Sequence, residues 1–299
     1  VMAQMYWDSN PCVSHKPNGC PASDNPWFNQ FHKMVRNTAG HWGVDWNHES
    51  EHTQAFMDRA LDFWLQEYQF DGFRFDFTKG FGQTDPNDFP VGDEWASSFN
   101  ADRIGLLKRM TNGMWARNPS SVVIFEHLAN NDEDKELADF GISMWSGVGH
   151  HNDVKGFIFG NNTDNTDIYN SGIYDAPARN FLFANWMSYP ESHDEQRLAY
   201  ELWNFYGGFS PTDSSADSLN RVIDRLKIGW AFNLLFPGPR MVWQFGELGY
   251  DYDINFNGRT GEKPVRWDYY DNDKRRELYQ LISKLFYLRN NYDLYPTSP

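Results

Sequence analysis

Acidic residues follow three separate apolar runs of this sequence, and their positions suggest shared chemistry. Asp76 closes the run FDGFRFD, Glu126 closes SVVIFE, and Asp194 follows NFLFANWMSYP. If the runs are parallel strands of a barrel, their carboxyl ends meet at one mouth, and the three carboxylates converge there. Converging carboxylates can cleave a glycosidic bond: one attacks, one transfers a proton, and further negative charge opposes the developing cation. A metal site and a lattice of structural salt bridges are the alternatives.

The stretch FDGFRFDF has a charged face and an aromatic face. Side chains alternate along a strand, so Gly72, Arg74 and Asp76 point one way and the intervening phenylalanines, up to Phe77, point the other. We expect the phenylalanines to pack beneath helices and Arg74 to keep Asp76 ionised. Inward charges meet solvent at the mouth of a barrel but are costly in an open sheet that is covered on both faces. The pattern therefore favours a barrel.

The segments that must position these residues alternate between helical and strand-like patterns. Residues 1–48 are rich in Pro, Asn, Gly and His without a sustained period, so they are expected to be irregular. Helices are predicted at about 49–69, 100–117, 218–235 and 271–291, and strands within 70–77, 118–130, 141–147, 180–190 and 240–249. This order predicts an α/β fold of βα units around a parallel sheet.

The composition of the chain limits the classes of partner that it is expected to bind. The 299 residues carry 26 basic and 41 acidic side chains, a net charge of −15, which argues against nucleic acid and anionic membrane as partners. The chain has no run of about 18 apolar residues that would predict a membrane span. Aromatic residues make up 17% of the chain, a surplus that fits either an aromatic core or a groove for sugars.

The sequence has two cysteines, Cys12 and Cys20. Their separation and their loop-like surroundings make a zinc site improbable and leave both a disulfide and two free thiols open. A disulfide would fit an exported protein, so an extracellular or periplasmic location is expected.

Four segments resemble signature regions of the α-amylase family of glycoside hydrolases. GFRFDFTKG is similar to the region written G-x-R-x-D-x-x-K-H, IFEHLA to the region that holds the acid, and ESHDEQR to the region with a His-Asp core. FPGPRMVWQFGELGYD is similar, with looser spacing, to the eighth-strand region. Gly80 stands where the family usually has His, and the family's first region, ending in Asn-His, is not in the sequence. Within this family, the sequence looks most similar to exported α-amylases of the Bacteroidetes type.

The resemblance implies a (β/α)8 TIM-barrel fold that is incomplete here, with about strands four to eight present. Residues 1–48 would be the irregular, B-domain-like excursion after the third strand, and residues 49–299 the C-terminal part of the catalytic barrel. A barrel of this kind closes with eight strands, so five would leave two open edges. Open edges favour self-association of the chain.

The resemblance also implies catalytic roles. Asp76 would be the nucleophile, Glu126 the general acid/base, and Asp194 the third acid, which holds the distorted sugar. The implied reaction is retaining hydrolysis of internal α-1,4-glucosidic bonds in starch-like glucans through a covalent glycosyl-enzyme. An α-glucan transglycosylase with the same triad, such as a branching enzyme, is the alternative, and a non-catalytic glucan-binding fragment is an alternative of another class.

The resemblance also implies contacts with the substrate. Arg74 and His193 would bind near the scissile bond, and Lys79 would contact the sugar on the leaving-group side of an α-glucan polysaccharide or oligosaccharide. Calcium is the one possible cofactor. The Asn that normally binds it belongs to the region that is not in the sequence, so no calcium ligands are assigned.

Overall fold

The chain divides into two compact units, Val1–Trp145 and Ser146–Pro299. This computed structural model describes residues 7–8, 20–21, 25–30, 44–84, 88, 90–93, 95–160, 168, 171–206 and 216–292. Near the N-terminus, strand β1 (Trp7–Asp8) pairs antiparallel with β2 (Cys20–Pro21). Most of the predicted irregular excursion, including Cys12, lies outside the described residues.

In the first unit, three strands run parallel and lie side by side. They are β3 (Gly72–Phe75), β4 (Val122–Phe125) and β5 (Ser143–Trp145). The helices that precede and connect them are α1 (Glu51–Gln66), α2 (Ala101–Arg117) and α3 (Asn131–Phe140). The predicted βα units are therefore confirmed in this unit.

Close contact between β3 and β4 explains the glycine that starts β3. A Cβ on Gly72 would lie 1.9 Å from the backbone oxygen of Val122, which is its register partner. Only glycine allows the two backbones to approach this closely.

Helix α2 packs as its period predicts. Asn100 caps the helix by accepting a hydrogen bond from the Arg103 N–H at 2.9 Å. The apolar side chains at helical spacing are all buried: Ile104, Leu107, Met110 and Met114.

A buried ion pair ties α2 to α3. Arg103 Nη2 lies 2.6 Å from Glu133 Oε2, and Nε donates to Glu133 Oε1 at 2.7 Å. Arg103 Nη1 also donates to the carbonyl oxygens of Lys79 and Ala96, each at 2.9 Å. His127 Nε2 lies 3.0 Å from Glu133 Oε1. This cluster fixes the segment that follows β3.

Helix α1 leaves large aromatic side chains exposed. Leu65 is buried, but Trp64 is 40% exposed and Tyr68 is 58% exposed. Phe63 and Phe70 are exposed as well, and the Trp64 ring lies 4.7 Å from Tyr68, 5.1 Å from Phe70 and 5.8 Å from Phe63. We call these four residues the aromatic patch. Their rings contact one another.

The second unit is mostly helical. Its elements are α4 (Gly147–Phe159), β6 (Trp186–Met187), α5 (Leu198–Phe205), α6 (Ala216–Leu234) and α7 (Asp273–Asn291). The four helices share one core that includes Val154, Leu202, Leu226, Trp230 and Ile282. Helices α6 and α7 confirm the prediction, whereas α4 and α5 were not predicted.

The strand predicted within residues 240–249 is wrong. Arg240 makes a single parallel bridge with Ser188, and the backbone then turns. Phe245 has a φ of 64°, which ends extended structure, and a short 3₁₀ turn follows at Gly246–Leu248. The other predicted strands are present, although β6 has only two residues. No helix in the described part of the chain is long and apolar enough to cross a membrane.

Candidate active site

Two predicted site carboxylates meet at the ends of neighbouring parallel strands in the first unit. Asp76 follows β3, and Glu126 follows β4. The backbone N–H of Glu126 donates to the Phe75 carbonyl oxygen at 3.0 Å. Arg74 bridges them: its Nη1 donates to Asp76 Oδ1 at 2.6 Å, and its Nη2 lies 2.9 Å from Glu126 Oε2 as an ion pair without hydrogen-bond alignment. The guanidinium lies over the buried Trp145 ring, 5.0 Å from its centroid.

The two carboxylates differ in their environment. The Asp76 side chain is 77% exposed and that of Glu126 is 14% exposed. Burial raises the pKa of Glu126; the Arg74 charge and a backbone N–H oppose the rise, and Asp76 adds to it. Glu126 therefore keeps its proton to a higher pH than an exposed glutamate, which suits a general acid. Asp76, exposed and held by a guanidinium, suits a nucleophile.

The backbone at Phe77 differs from the predicted strand alternation. Its φ of 44° is left-handed, so the regular alternation ends at Phe75 and Phe77 is not a third ring of the aromatic face. The turn instead aims the Phe77 N–H at Glu126, where it donates to Oε2 at 3.1 Å. A main-chain group thereby links the residue after Asp76 to the carboxyl of Glu126.

Lys79 is buried in the first unit. Its ammonium donates to Ser97 Oγ at 3.3 Å and to Leu128 O at 3.1 Å. Burial, and then the charge of Arg103, lowers the pKa of Lys79. These contacts make Lys79 a support of the turn after β3, and its contact with a sugar stays a prediction.

His193 and Asp194 meet in the second unit, after β6. His193 Nε2 lies 3.1 Å from Asp194 Oδ2, and both side chains are about half exposed. Arg259 Nη2 donates to the Asp194 backbone oxygen at 2.7 Å and lies 3.6 Å from Oδ1. The predicted site residues thus form two groups, one in each unit.

The other two acids of ESHDEQR, Glu191 and Glu195, are buried. Glu191 is buried, and its Oε2 accepts a hydrogen bond from the N–H of Leu198, the first residue of α5, at 2.8 Å. Burial raises the pKa of Glu191. Glu195 is buried too and accepts a hydrogen bond from Ser192 Oγ. Both acids hold the polypeptide segment around them and are not part of the candidate site.

Three tryptophans are candidates for stacking against sugars. Trp42 lies outside the described residues. Trp145 is buried beneath Arg74. Trp243 lines a cavity of about 280 Å³ with His193, and their ring centroids are 5.6 Å apart. Trp243 is the one that accompanies a predicted site residue at a cavity.

Sequence reasoning missed a group of side chains beside Asp76. Trp46, His48 and Phe81 line a cavity of about 420 Å³ together with Asp76 and Phe77. The signal was present in VDWNH, where an aromatic ring and an imidazole lie among polar residues directly before a helix. This segment has no period, so it did not stand out.

The described residues contain no group of three or more His, Cys, Asp or Glu side chains that could hold a metal ion. We derive no step through a metal.

The chain is similar to solved structures of amylases and pullulanases. No protein-family model matches it, and no curated protein matches it. Type I pullulanase from Bacillus subtilis str. 168, complexed with maltose, matches with a TM-score of 0.60 and 18% identity over 92% of this chain and 38% of its own. Amy13B of Eubacterium rectale matches with a TM-score of 0.59 and 16% identity over 97% of this chain and 59% of its own.

The type III pullulan hydrolase from Thermococcus kodakarensis gives a TM-score of 0.60 and 17% identity, covering 89% of this chain and 42% of its own. The chain thus spans between about two fifths and three fifths of these structures. The likeness shows the fold: a partial α/β fold that matches part of amylase and pullulanase structures.

Proposed function

We propose that this chain carries the catalytic centre of a retaining glycoside hydrolase that cleaves internal α-1,4-glucosidic bonds of starch-like glucans. The observation that carries the proposal is the Arg74-bridged pair of an exposed Asp76 and a Glu126 whose pKa is raised. Two carboxyl groups in different environments are what acid and nucleophile roles require. The fold likeness to amylases and pullulanases, one of them solved with maltose, supports the glucan as substrate.

The proposed reaction has two steps. Glu126 gives its proton to the glycosidic oxygen while Asp76 Oδ attacks the anomeric carbon, so the C–O bond breaks and a glycosyl ester forms. The deprotonated Glu126 then takes a proton from water, whose oxygen attacks the anomeric carbon and releases Asp76. Two displacements leave the anomeric configuration unchanged.

The remaining residues act by binding and orienting the sugar. Asp194 would hold the distorted ring, with His193 at its side, and Arg74 would bind near the scissile bond. Lys79 would contact the sugar on the leaving-group side if its ammonium exchanged its contacts with Ser97 and Leu128. The family likeness, of the exported Bacteroidetes type, also supports an extracellular or periplasmic location.

The test compares wild type with Asp76→Asn on soluble starch. We expect wild type to release reducing ends and Asp76→Asn to release essentially none, because an amide cannot form the glycosyl ester. The matched control is Asp58→Asn, which removes the Arg109 partner on α1 and should leave the rate unchanged. Proton NMR of the first product should show the α-anomer, as retention requires.

The other possible outcomes of this test would indicate a different function or mechanism. Equal rates in wild type and Asp76→Asn would remove the enzyme proposal, and binding of starch without turnover would then favour a glucan-binding fragment. New α-1,6 linkages with little gain in reducing ends would indicate the branching reaction, in which a sugar hydroxyl replaces water. A β-anomer as first product would contradict the retaining mechanism.

A further inference from the structure

A row of buried polar side chains in the first unit takes no part in the proposed mechanism. Thr78 Oγ1 lies 2.9 Å from His127 Nδ1, and His127 Nε2 lies 3.0 Å from Glu133 Oε1. Arg103 donates to both carboxylate oxygens of Glu133, at 2.7 and 2.6 Å. All four side chains are buried. We call Thr78, His127, Glu133 and Arg103 the buried row.

Two members of the buried row are close in the chain to the candidate catalytic residues. Thr78 comes two residues after Asp76, and His127 directly follows Glu126. The Thr78 N–H donates to the Glu126 carbonyl oxygen at 2.8 Å, and the preceding N–H, that of Phe77, donates to Glu126 Oε2 at 3.1 Å. The contact of Thr78 with His127 is therefore a side-chain link between the turn after Asp76 and the segment that carries Glu126.

The charges around His127 keep its ring neutral. Burial lowers the pKa of His127; Glu133 opposes this effect, and Arg103 and Lys79 add to it. An imidazole whose pKa lies below its ordinary value carries a single N–H at neutral pH. Burial alone would raise the pKa of Glu133, but Arg103 and His127 outweigh burial and hold it below its usual range. Glu133 is therefore a carboxylate, which can only accept.

The ionised Glu133 decides which nitrogen of His127 bears the proton. His127 Nε2 is not aligned for a hydrogen bond with Glu133, but at 3.0 Å a lone pair on Nε2 would be repelled by the carboxylate. The proton is therefore on Nε2, and Nδ1 is an acceptor. The single hydroxyl proton of Thr78 then goes to Nδ1 at 2.9 Å and not to the Glu126 carbonyl oxygen at 3.3 Å. This choice fixes the orientation of the Thr78 side chain.

We propose that His127 is a positioning residue for Glu126: its Nδ1 holds Thr78, and Thr78 keeps the N–H groups of residues 77 and 78 on Glu126. The inference deepens the proposed function and rests on it for the role of Glu126 as general acid. His127 is buried, so it meets no substrate and acts through the turn alone. Glu133 and Arg103 set its tautomer.

Loss of the link between Thr78 and His127 should change the acidity of Glu126. Burial raises the pKa of Glu126, the Arg74 charge and the Phe77 N–H lower it, and Asp76 raises it. A turn that is released from His127 no longer holds the Phe77 N–H on Glu126, so the pKa of Glu126 rises further. A side chain that only stabilised the fold would leave this pKa unchanged.

The test compares two substitutions of Thr78 in the full chain. Thr78→Val keeps the shape of the side chain and removes the hydroxyl, whereas Thr78→Ser retains the hydroxyl. With maltopentaose as substrate, we expect Thr78→Val to lower kcat about tenfold, the equivalent of one hydrogen bond, and to change KM less. The alkaline limb of kcat/KM against pH should move to higher pH in Thr78→Val and stay in place in Thr78→Ser.

Thr111→Val is the matched control. Thr111 is also buried, and its hydroxyl donates to the Leu107 carbonyl oxygen at 2.9 Å within α2. Removal of this hydroxyl should lower the stability to urea by about as much as Thr78→Val does, but should leave kcat and the pH profile unchanged. Similar losses of stability with different pH profiles separate positioning from packing.

Two amides test His127 itself. His127→Asn places an amide near the position of Nδ1, where it can still accept from Thr78, whereas the longer His127→Gln places its amide near Nε2. We expect His127→Asn to keep the alkaline limb of wild type and His127→Gln to move it as Thr78→Val does. If either His127 variant fails to fold, as thermal denaturation would show, the Thr78 variants decide by themselves.

Carbon-13 NMR of the Glu126 carboxyl, assigned with Glu126→Gln, gives a readout that needs no turnover. A pKa of Glu126 that is higher in Thr78→Val than in Thr78→Ser and Thr111→Val would support the inference. A chain that releases no reducing ends from starch would remove the proposed function alone, and the NMR titration would still decide whether the buried row positions Glu126. The same pKa of Glu126 in wild type, Thr78→Val and His127→Gln would overturn the inference.

Discussion

Arg74 controls the charge of the candidate site because it contacts both carboxylates. The Arg74 charge lowers the pKa of Glu126, so it works against the proton that Glu126 must carry as general acid. Burial and Asp76 work in the other direction and prevail, since the pKa of Glu126 is raised. The protonated acid is therefore available up to a pH limit that Arg74 lowers.

Replacing Arg74 should move that limit. In Arg74→Gln the pKa of Glu126 rises further, so the alkaline limb of kcat/KM against pH should move to higher pH. The rate at the optimum should fall, because Asp76 loses its cation. Arg109→Gln, which removes an ion pair with Asp58 away from the site, is the control and should keep the wild-type profile. An alkaline limb that stays in place would show that Glu126 is not the acid.

The site could be predicted in part because the ends of strands can be recognised in the sequence. Asp76 and Glu126 each close an apolar run, and neighbouring parallel strands bring those ends together. The left-handed turn at Phe77 could not be predicted, since phenylalanine rarely adopts it. The inward course of Lys79 depends on Ser97 and Leu128, which lie 18 and 49 residues away in sequence. Such tertiary contacts leave no local pattern.

At the scale of elements, the contact between β3 and β4 depends on a missing side chain. Gly72→Ala should separate the two strands, because the new Cβ would meet the Val122 carbonyl oxygen. We expect a loss of several kcal/mol in the free energy of unfolding, measured by urea denaturation, together with lost activity. Gly105→Ala in α2 has open space around it and should instead stabilise the chain by about 0.5–1 kcal/mol. Equal effects of the two substitutions would contradict the register.

The buried ion pair between α2 and α3 should matter more than an exposed one on the same helix. Arg103→Met leaves Glu133 charged and buried, at a cost of about 3–5 kcal/mol. Arg109→Met removes a partly exposed pair with Asp58, at a cost of about 0–1 kcal/mol. Thermal or urea unfolding of the two variants measures the difference, and similar stabilities would show that Glu133 is not confined as the structure has it.

Long amphipathic helices were predictable, and short or polar ones were not. Helices α2, α6 and α7 carry sustained apolar stripes. By contrast, α3 has the sequence NDEDKELADF, in which Leu137 and Ala138 are the buried apolar residues. Helix α4 begins GVGHH and buries two histidines beside Val154 and Ile158, so its buried face has no continuous apolar stripe. The strand predicted at 240–249 is absent because the backbone turns at Phe245, whose left-handed φ of 64° no apolar pattern indicates.

At the scale of the molecule, β3 and the aromatic patch are where we expect the predicted self-association to occur. Among the described strands, β3 is hydrogen-bonded to β4 alone, so one side of its ladder is unpaired. The patch beside it exposes four large aromatic side chains, an unusual amount for a surface. The expectation that the chain associates with itself through open edges stays a prediction, and this surface gives it a location.

Two tyrosines of nearly equal exposure allow a matched test. Tyr68 in the aromatic patch is 58% exposed and Tyr287 on α7 is 59% exposed. Light scattering after size exclusion should show wild type and Tyr287→Ser shifting to larger species as concentration rises. Tyr68→Ser, combined with Trp64→Ser, should remain monomeric. A monomeric wild type at all concentrations would contradict the prediction.

The left-handed Phe77 has a mechanical consequence for the candidate centre. Its φ of 44° is costly for a bulky side chain, and its N–H is bonded to Glu126 Oε2. Relaxing that turn would lengthen the bond to Glu126 and, through the adjoining peptide, displace Asp76. The peptide between Asp76 and Phe77 therefore couples the two carboxylates. A change in this peptide alters the proton affinity of Glu126 and the position of Asp76 together.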